Sequence, residues 1–299
     1  PGSGALGKWD YASVGAVWLG FRSRQMCQLC QRSRCMKIRH SRQVGVRERI
    51  PLQGGHSFRL LRWDSNLRDV QLVVSPWSRL RIKGEGDHWH YHQALELIAF
   101  ESGRGTRFVG DHIGAFEAGD AVLLGSNVPH TWQTDGLSAG WLVQWHFPPE
   151  HAFWGFPETQ SLAKHFAEAE RGIRFRGQAA RIIAGLFRRM AEADGAGRLG
   201  ALIQLLAATA AVPLREWEFL SSQRLLPSTE TGDQPAVRAA MRFLLANFRD
   251  EIRLEQLLAA TGLSKSTFSR RFRQHAGRTV SEFLQEVRLE AACRDLAGT

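Results

Sequence analysis

Cysteine and long apolar runs are both scarce in this chain. Its four cysteines among 299 residues are too few for the disulfide framework of a secreted protein, so we expect a reducing, cytoplasmic location. No apolar run reaches the roughly 18–20 residues that a membrane-spanning helix needs, and we expect no membrane partner. Because 43% of the residues are hydrophobic, the chain has enough apolar side chains for a core of ordinary size.

Acidic residues are absent from one stretch near the C-terminus, between Gln256 and Ser281. The charge of the whole chain is also uneven. Residues 1–50 carry ten Lys and Arg against two acidic residues, and residues 51–233 carry eighteen against twenty. Residues 234–299 carry eleven against seven. A near-neutral middle followed by a basic C-terminal unit is typical of a sensor joined to a nucleic-acid reader.

The same acid-free region has the periodicity of two short helices joined by a glycine turn. Residues of the first helix recur at i, i+3, i+4 and i+7 along one face, at Leu254, Leu257, Leu258 and Thr261. Gly262 can adopt the left-handed conformation of the turn, and Ser264 is a suitable N-cap for the second helix. Phe268 and Phe272, four residues apart, lie on the side of that helix that we expect to be buried.

The opposite side of the second helix is polar and basic. It presents Ser266, Ser269, Arg270 and Arg273 at the same helical spacing. A short basic helix held at an angle by a glycine turn is the geometry of a helix-turn-helix in the major groove of DNA. An ordinary helical hairpin with a solvated basic face is the alternative.

The motif G-L-S-x-S-x-F-S-R-x-F-(four residues)-G at residues 262–277, continued by Phe283 and Arg288, resembles the AraC/XylS family of bacterial transcription regulators. The resemblance extends from about residue 235 to the C-terminus. Val280 stands where that family usually has proline. In the family a second helix-turn-helix follows a linker helix, whereas this chain ends just beyond the segment that matches the linker. We therefore expect a C-terminally truncated member of the family.

The resemblance implies a role for each residue of the basic helix. Ser266, Ser269 and Arg270 would face the bases of double-stranded DNA. Arg270 is the strongest candidate for a guanine, because a guanidinium donates two hydrogen bonds to one base edge, worth about 1–3 kcal/mol of discrimination. Phosphate contacts, which set affinity and its salt dependence, would come from Lys265, Arg271, Arg273 and Arg278. RNA polymerase is a further candidate partner.

Residues 45–150 consist of short apolar or alternating runs. Gly, Asp and Pro interrupt them at a spacing of about ten residues, which is typical of an all-β sandwich or barrel. Helical spacing follows at residues 161–169, 178–193 and 199–214. The apolar stripe of the last segment fits either a dimer interface or an intramolecular core face, and a homodimer is the expected assembly.

A second motif lies in the β region. The string Gly84-(five)-His90-x-His92-(three)-Glu96-(six)-Gly103 resembles the first cupin motif. The second cupin motif is matched in part, by Gly119 and by His130 eleven residues later. The resemblance implies a small β-barrel of the kind found in the sensor domains of many AraC-type regulators. Aromatic and polar residues expected at the barrel mouth are His88, Trp89, Tyr91, Phe108 and Trp132.

In metal-holding cupins, side chains at the positions of His90, His92, Glu96 and His130 converge inside the barrel. Three imidazoles and a carboxylate suit a divalent ion such as Zn, Fe, Mn or Ni. The alternative is a pocket without metal for a small effector, such as a sugar or another small metabolite, so no cofactor is required. A metal-dependent cupin enzyme, of dioxygenase or isomerase type, is the rival hypothesis. The attached DNA reader favours a regulator without enzymatic activity.

The predicted fold class is α+β and multidomain. A cupin-like β-barrel is followed by helices, a linker and an all-α helix-turn-helix unit whose second motif is missing. The segments are a basic leader that is disordered or non-native (1–44), the effector-binding barrel (45–150), a helical dimerisation or connecting region (151–220), a linker (221–234) and the partial DNA-binding unit (235–299). Cys27, Cys30 and Cys35 of the leader are a weak basis for a zinc site.

Overall fold

The computed structural model describes residues 46–47, 50, 56–222, 224 and 234–297. The expected leader, with its three cysteines, and most of the expected linker lie outside the described residues. Within the described ranges, β-strands are followed by helices, and a helical unit ends the chain. No helix in these ranges combines the length and the apolar character needed to cross a lipid bilayer.

Thirteen strands are present in the described ranges. They are β1 (Val46–Arg47), β2 (Phe58–Trp63), β3 (Asp69–Ser75), β4 (Ser78–Lys83), β5 (His90–Tyr91), β6 (Leu95–Ser102), β7 (Arg104–Val109), β8 (His112–Glu117), β9 (Ala121–Leu124), β10 (His130–Thr134), β11 (Ala139–Trp145), β12 (Ile173–Phe175) and β13 (Glu218–Phe219). One sheet has the order β1-β5-β10-β7-β8, and the other has the order β13-β12-β9-β6-β11-β2-β3-β4. The pairing is antiparallel except between β1 and β5. The β-rich domain of the prediction is therefore confirmed.

Strand β6 is buried on both faces. Ile98 and Phe100 pack inside the barrel with residues of both sheets, whereas Leu97 and Ala99 pack against the helices outside. Successive side chains of a strand point to opposite faces, so a strand between two apolar layers needs a continuous apolar run. The sequence Leu-Glu-Leu-Ile-Ala-Phe has this character, with one charged residue, Glu96, in the inward set.

Three helices cover the outer face of this sheet: α1 (Leu162–Glu168), α2 (Gly177–Glu192) and α3 (Gly195–Ala211). Ile183, Phe187 and Met190 of α2 are at most 1% exposed. Helix α3 begins four residues before the predicted start. Its apolar stripe, Leu202, Leu205 and Leu206, belongs to the intramolecular core.

Two short strands were missed by the sequence patterns. Strand β12 pairs with β9 on one side and with β13 on the other, which extends the larger sheet beyond the barrel. Strands β12 and β13 have three and two residues, respectively. Such short segments cannot display a two-residue hydrophobic alternation. Their pairing depends on β9, which lies about fifty residues earlier in the chain and is held in place by the barrel.

The C-terminal unit consists of α4 (Gln234–Asn247), α5 (Leu254–Thr261), α6 (Lys265–Ala276) and α7 (Val280–Ala297). Gly262 ends α5 with a φ of 66°, and the Ser264 hydroxyl accepts a hydrogen bond from the amide of Thr267. Phe268 and Phe272 have no exposed surface. The predicted helix-turn-helix, with its glycine turn, serine cap and buried phenylalanines, is confirmed.

Helix α7 begins at Val280, where the related family usually has proline. Its first turn is closed by a reciprocal capping pair. Thr279 Oγ1 accepts from the amide of Glu282 at 3.3 Å, and Glu282 Oε2 accepts from the amide of Thr279 at 2.7 Å. This pair satisfies backbone donors at the helix start, so a proline is not needed to begin the helix there.

The C-terminal unit packs against the barrel. Phe108 of β7 stacks on Phe283 of α7 with a centroid distance of 5.9 Å. Gln133 Nε2 of β10 donates to the carbonyl oxygen of Leu245 in α4 at 3.0 Å. Trp89 joins the same apolar cluster as the helices. The helix-turn-helix therefore shares a hydrophobic core with the barrel.

A turn between β7 and β8 holds two separate parts of the chain. The Asp111 carboxylate accepts hydrogen bonds from the Ser221 hydroxyl at 2.7 Å and from the amide of Ser222 at 2.9 Å. The carbonyl oxygen of Asp111 accepts a hydrogen bond from Arg278, which lies between α6 and α7. Asp111 thus contacts both the segment that follows β13 and the C-terminal helical unit.

Phe187→Ala is expected to lower the free energy of unfolding by about 3–5 kcal/mol, because it removes a fully buried aromatic ring between α2 and the sheet. Arg189→Ala, on the exposed side of the same helix, is the matched control and should cost less than about 1 kcal/mol. Urea denaturation measures both. Equal losses in the two variants would show that α2 does not dock on the sheet through this face.

Candidate metal centre and DNA-binding surface

The cupin-motif residues come together inside the barrel. His90 lies opposite His130 in the pairing of β5 with β10, and their ring centroids are 4.2 Å apart. The ring of His92 lies 5.2 Å from that of His130. One ring nitrogen from each histidine lies within 4.8 Å of those of the other two. Glu96 of β6 completes the group, and its carboxylate oxygens lie 3.1 Å from His92 Nε2 and 3.7 Å from His130 Nε2.

The orientation of each imidazole is fixed by the backbone. In all three histidines, Nδ1 contacts a main-chain carbonyl oxygen at 2.7–2.8 Å, and these carbonyls belong to His88, Ala94 and Val128. A carbonyl oxygen only accepts, so each Nδ1 carries a proton, which leaves Nε2 as the ring nitrogen that can bind a metal ion. Metal-binding histidines are commonly oriented by such a bond from the other ring nitrogen. The sequence spacing predicts the cluster but not these tautomers.

The charges of the cluster favour a cation. Burial raises the pKa of Glu96, but the nearby imidazoles of His130 and His92 outweigh this effect, and the pKa of Glu96 falls to about 2. Burial lowers the pKa of His130 to about 4. At neutral pH the group therefore has an ionised carboxylate beside a neutral His130 ring, and His130 Nε2 is buried without a hydrogen-bond partner. This donor set fits a borderline divalent ion.

Gln144 and Arg59 belong to the site, although neither is part of the cupin motif. Gln144 of β11 lies opposite Glu96 in the sheet, and its Nε2 donates to Glu96 Oε2 at 2.7 Å. Arg59 Nε of β2 donates to Gln144 Oε1 at 2.5 Å. The sequence offered one signal for Gln144: it is the only polar side chain in the apolar run of β11, Ala139–Trp145.

The cavity beside the cluster is small. It is lined by His90, Glu96 and Gln144 together with apolar residues of the barrel wall, and its volume is about 40 Å³. A water molecule occupies at least about 10–15 Å³ on this scale, so the cavity has room for an ion and a few waters. Small-molecule sites usually measure about 300–1,000 Å³. In this arrangement the cavity is too small for the sugar that the sequence suggested.

Helix α6 presents a continuous basic surface. The side chains predicted to meet DNA bases, Ser266, Ser269 and Arg270, are exposed, as are Lys265 and Arg273. Arg271 is half-buried. Exposure on one helix face permits contact with a DNA groove, and the specific base and phosphate roles stay predictions.

Arg278 lies in a different environment from the other predicted phosphate contacts. Its side chain is 16% exposed. It donates to the carbonyl oxygen of Asp111 on the barrel and forms an ion pair with Glu286 of α7. A phosphate contact by Arg278 would require the hydrogen bond to the barrel to open.

The aromatic residues expected at the barrel mouth occupy two environments. Trp89 and Phe108 are 4% and 1% exposed and pack against helices of the C-terminal unit. His88 and Trp132, together with Trp89, line a second cavity beside α4. The end of the barrel near β5 and β10 is therefore covered by the DNA-binding unit.

His165 is a buried histidine outside the cluster. Its Nε2 lies 3.0 Å from the hydroxyl of Thr209, and that hydroxyl donates to the carbonyl oxygen of Leu206 at 2.8 Å. The imidazole nitrogen must therefore donate the proton. Burial lowers the pKa of His165 to about 4. This contact between α1 and α3 holds the helical layer together.

Comparison with known proteins identifies the β-rich region and the C-terminal helices as two separate domains. The model of an AraC-like ligand binding domain matches residues 82–208, and that of a helix-turn-helix domain matches residues 257–299. The fold and the two matches define a DNA-binding transcription regulator with a ligand-binding, cupin-like domain. By these two domains the chain belongs to the AraC family.

The solved structures to which this chain is similar include the following three. The AraC-like transcriptional activator CuxR is 16% identical over 82% of this chain and 85% of its own, with a TM-score of 0.32. Unsaturated fatty acid bound ToxT from Vibrio cholerae strain SCE256 is 9% identical over 81% and 82%, with a TM-score of 0.34. A Cupin 2 conserved barrel domain protein from Salinispora arenicola CNS-205 is 23% identical over 33% and 87%, with a TM-score of 0.18. No curated protein matches the chain significantly.

His165→Gln is expected to flatten the acid destabilisation of the protein. In the wild type the folded-state pKa of His165 is about 4, below its ordinary value of 6.5. The unfolded chain therefore binds a proton that the folded chain excludes, and stability falls as the pH decreases from about 6.5 to about 4. Glutamine retains a donor for Thr209 but does not titrate.

The measurement is the unfolding free energy of both proteins at several pH values in this window. The exposed His56 provides the control, because His56→Gln should leave the wild-type slope unchanged. Parallel slopes for the wild type and His165→Gln would contradict the assignment of His165 as neutral in the fold.

Proposed function

We propose that this regulator holds a divalent cation in its barrel, through His90, His92, His130 and Glu96. The observation that carries the proposal is the fixed orientation of three buried imidazoles, whose Nδ1 protons are all bound by carbonyls. The Nε2 atoms of His92 and His130 lie 3.1 Å and 3.7 Å from the carboxylate oxygens of Glu96, which is ionised at neutral pH. A bound cation would supply a positive charge and an open position for an oxygen or nitrogen atom of a small ligand. Gln144 supports the site by holding Glu96.

The same site argues against catalysis as the main activity. The cavity beside the cluster measures about 40 Å³, so an organic substrate has no room next to the ligands in this arrangement. A basic helix-turn-helix adds nothing to turnover, whereas it is what a regulator needs. We therefore propose a cytoplasmic regulator without enzymatic activity, and assign sensing to residues 45–150, connection to residues 151–220 and DNA binding to residues 235–299.

The proposed reading of DNA uses the exposed face of α6. Arg270 would bind a guanine edge, with Ser266 and Ser269 contacting neighbouring bases. Lys265, Arg271 and Arg273 would contact phosphates. Arg278 would join them only after it leaves Asp111. RNA polymerase stays a candidate partner of the DNA-bound regulator.

A homodimer is supported by the outer surface of α2 and α3. The apolar stripe that suggested dimerisation is used within the chain. Apolar side chains remain exposed on the other side, where Ile182, Leu199 and Ile203 are 40–45% exposed. We propose that a second copy covers these residues, because exposed apolar side chains grouped on one surface often mark an interface.

Metal content tests the barrel site. Protein purified with added Zn²⁺ or Mn²⁺ and then desalted should contain about one ion per chain by mass spectrometry. His92→Ala removes one ligand, and the affinity should fall at least about tenfold, as should that of Gln144→Ala if Gln144 holds Glu96. His165→Gln is the control with normal metal content. Equal metal content in His92→Ala and the wild type would reject the site, and metal-dependent turnover of a small substrate would favour the enzyme hypothesis.

Substitution of two arginines tests the DNA-reading surface. Arg270→Ala should flatten the preference among variants of a selected DNA sequence, by about 1–3 kcal/mol at one base pair. Arg273→Ala should weaken binding to all sequences alike and reduce the salt dependence by about one charge. Fluorescence anisotropy with a panel of duplexes at several salt concentrations measures both effects. Unchanged binding in both variants would show that α6 does not read DNA.

A further inference from the structure

A third cavity lies where β2, the end of β3 and the start of α3 meet. Its volume is about 290 Å³, close to the lower limit of about 300 Å³ for small-molecule sites. It shares no lining residue with the cavity beside α4. Helix α3 contributes Gly195, Arg198 and Leu199 to its wall.

Arg198 is held in a fixed orientation at this cavity and is 9% exposed. Its Nε donates to the carbonyl oxygen of Ala193 at 2.9 Å, and its Nη1 donates to the carbonyl oxygens of Val73 and Val74 at 2.8 and 2.9 Å. The third guanidinium nitrogen, Nη2, is buried without a hydrogen-bond partner. A buried donor without an acceptor is unfavourable, so an acceptor bound in the cavity would satisfy it.

The carbonyls that hold Arg198 belong to an irregular part of β3. The pairing of β3 with β4 shifts register between Val73 and Ser75, and such bulges are common beside functional sites. A purely structural role, in which Arg198 ties the start of α3 to this irregularity, accounts for the donors on Nε and Nη1. It leaves the donors on Nη2 unexplained.

The charges around the cavity favour an anion. Burial lowers the pKa of Arg198, and the nearby Asp194 opposes only part of this effect. A further anion would therefore stabilise the charged guanidinium. Arg59, which donates to Gln144, adds a second positive side chain to the lining. Gly195 begins α3, whose N-cap residue makes no side-chain capping bond, and the positive end of a helix dipole attracts anions.

The apolar part of the wall is mainly aliphatic. Phe58 and Leu72 are half-buried, and Val74 and Leu199 are 45% and 40% exposed. We propose that this cavity binds a small aliphatic carboxylate, with its oxygens on Arg198 and its body against these side chains. The site is distinct from the proposed cation site, and it would give the sensor a second small-molecule ligand.

Isovalerate, its neutral analogue isovaleramide and inorganic phosphate are the probes for the full chain. By calorimetry the wild type should bind isovalerate at least about fivefold more tightly than the amide, because hydrogen bonds to an ionised acceptor are stronger. Phosphate has no apolar body and should bind more weakly than isovalerate. Equal or tighter binding of phosphate would overturn the assignment of an aliphatic ligand.

Val74→Glu and Val74→Gln form a matched pair at an exposed position of the wall. The glutamate places its own carboxylate near Arg198 and should abolish the preference for isovalerate over the amide. The glutamine has nearly the same size and should retain that preference. Leu289→Glu, at a position 65% exposed on α7, adds the same charge elsewhere and should change nothing. No binding of either organic probe to the wild type, or an unchanged preference in Val74→Glu, would overturn the proposal.

Arg198→Lys tests the donor itself. It keeps the positive charge but removes Nη2, and the affinity for isovalerate should fall at least about tenfold, since a lysine cannot replace the guanidinium fork. Because Arg198 also holds β3, the thermal unfolding of this variant is recorded. If the variant is unfolded, the Val74 pair carries the decision.

His92→Ala separates this site from the barrel. If isovalerate binding is lost in His92→Ala and its preference over the amide is kept in Val74→Glu, the carboxylate binds the cation in the barrel, and the third cavity is rejected. If His92→Ala loses metal but binds isovalerate as the wild type does, the third cavity is supported. Absence of metal from a wild type that still binds isovalerate through Arg198 would refute only the barrel proposal.

Discussion

The pairing of β6 with β11 sets the geometry on which both the core and the candidate metal centre depend. In this register Glu96 lies opposite Gln144, and both point into the barrel, while Leu97 faces the helices. A slip of one residue would reverse every side chain of β6. It would then turn the Glu96 carboxylate toward the helices and move apolar side chains into the histidine cluster. The register is fixed because one face of β6 must pack against the helices and the other must face the barrel interior.

Sequence patterns predicted the parts of the structure that depend on local spacing. The turn at Gly262, the buried Phe272 and the cluster around His130 all follow from intervals along the chain. Gln144, the strand β12 and the environment of Arg278 do not, because each is determined by a neighbour far away in sequence. The candidate metal ligands were therefore predictable, whereas Gln144, which orients Glu96, could be found only from the fold.

The candidate metal centre and the cavity beside α4 share the same two strands, β5 and β10. His130 of β10 points into the barrel, and the next residue, Thr131, lines the cavity beside α4. In the same way, Trp89, just before β5, packs against the C-terminal helices, whereas His90 of β5 points into the barrel. Successive residues of an extended segment face opposite sides, so a change in the cluster that displaces these strands would also displace the wall that contacts the DNA-binding unit.

Asp111 anchors the end of the sensor through Ser221 and Ser222, and it also holds Arg278. Ser221 and Ser222 precede the DNA-binding unit in the chain, and Arg278 belongs to that unit. If the contact between Arg278 and Asp111 opens, the contacts of Ser221 and Ser222 still keep the unit close to the barrel. Reassociation is then an intramolecular event, for which a short tether gives an effective concentration in the millimolar range. Each contact between the two domains can consequently be weak, and a difference of about 1.4 kcal/mol changes the ratio of docked to released molecules tenfold.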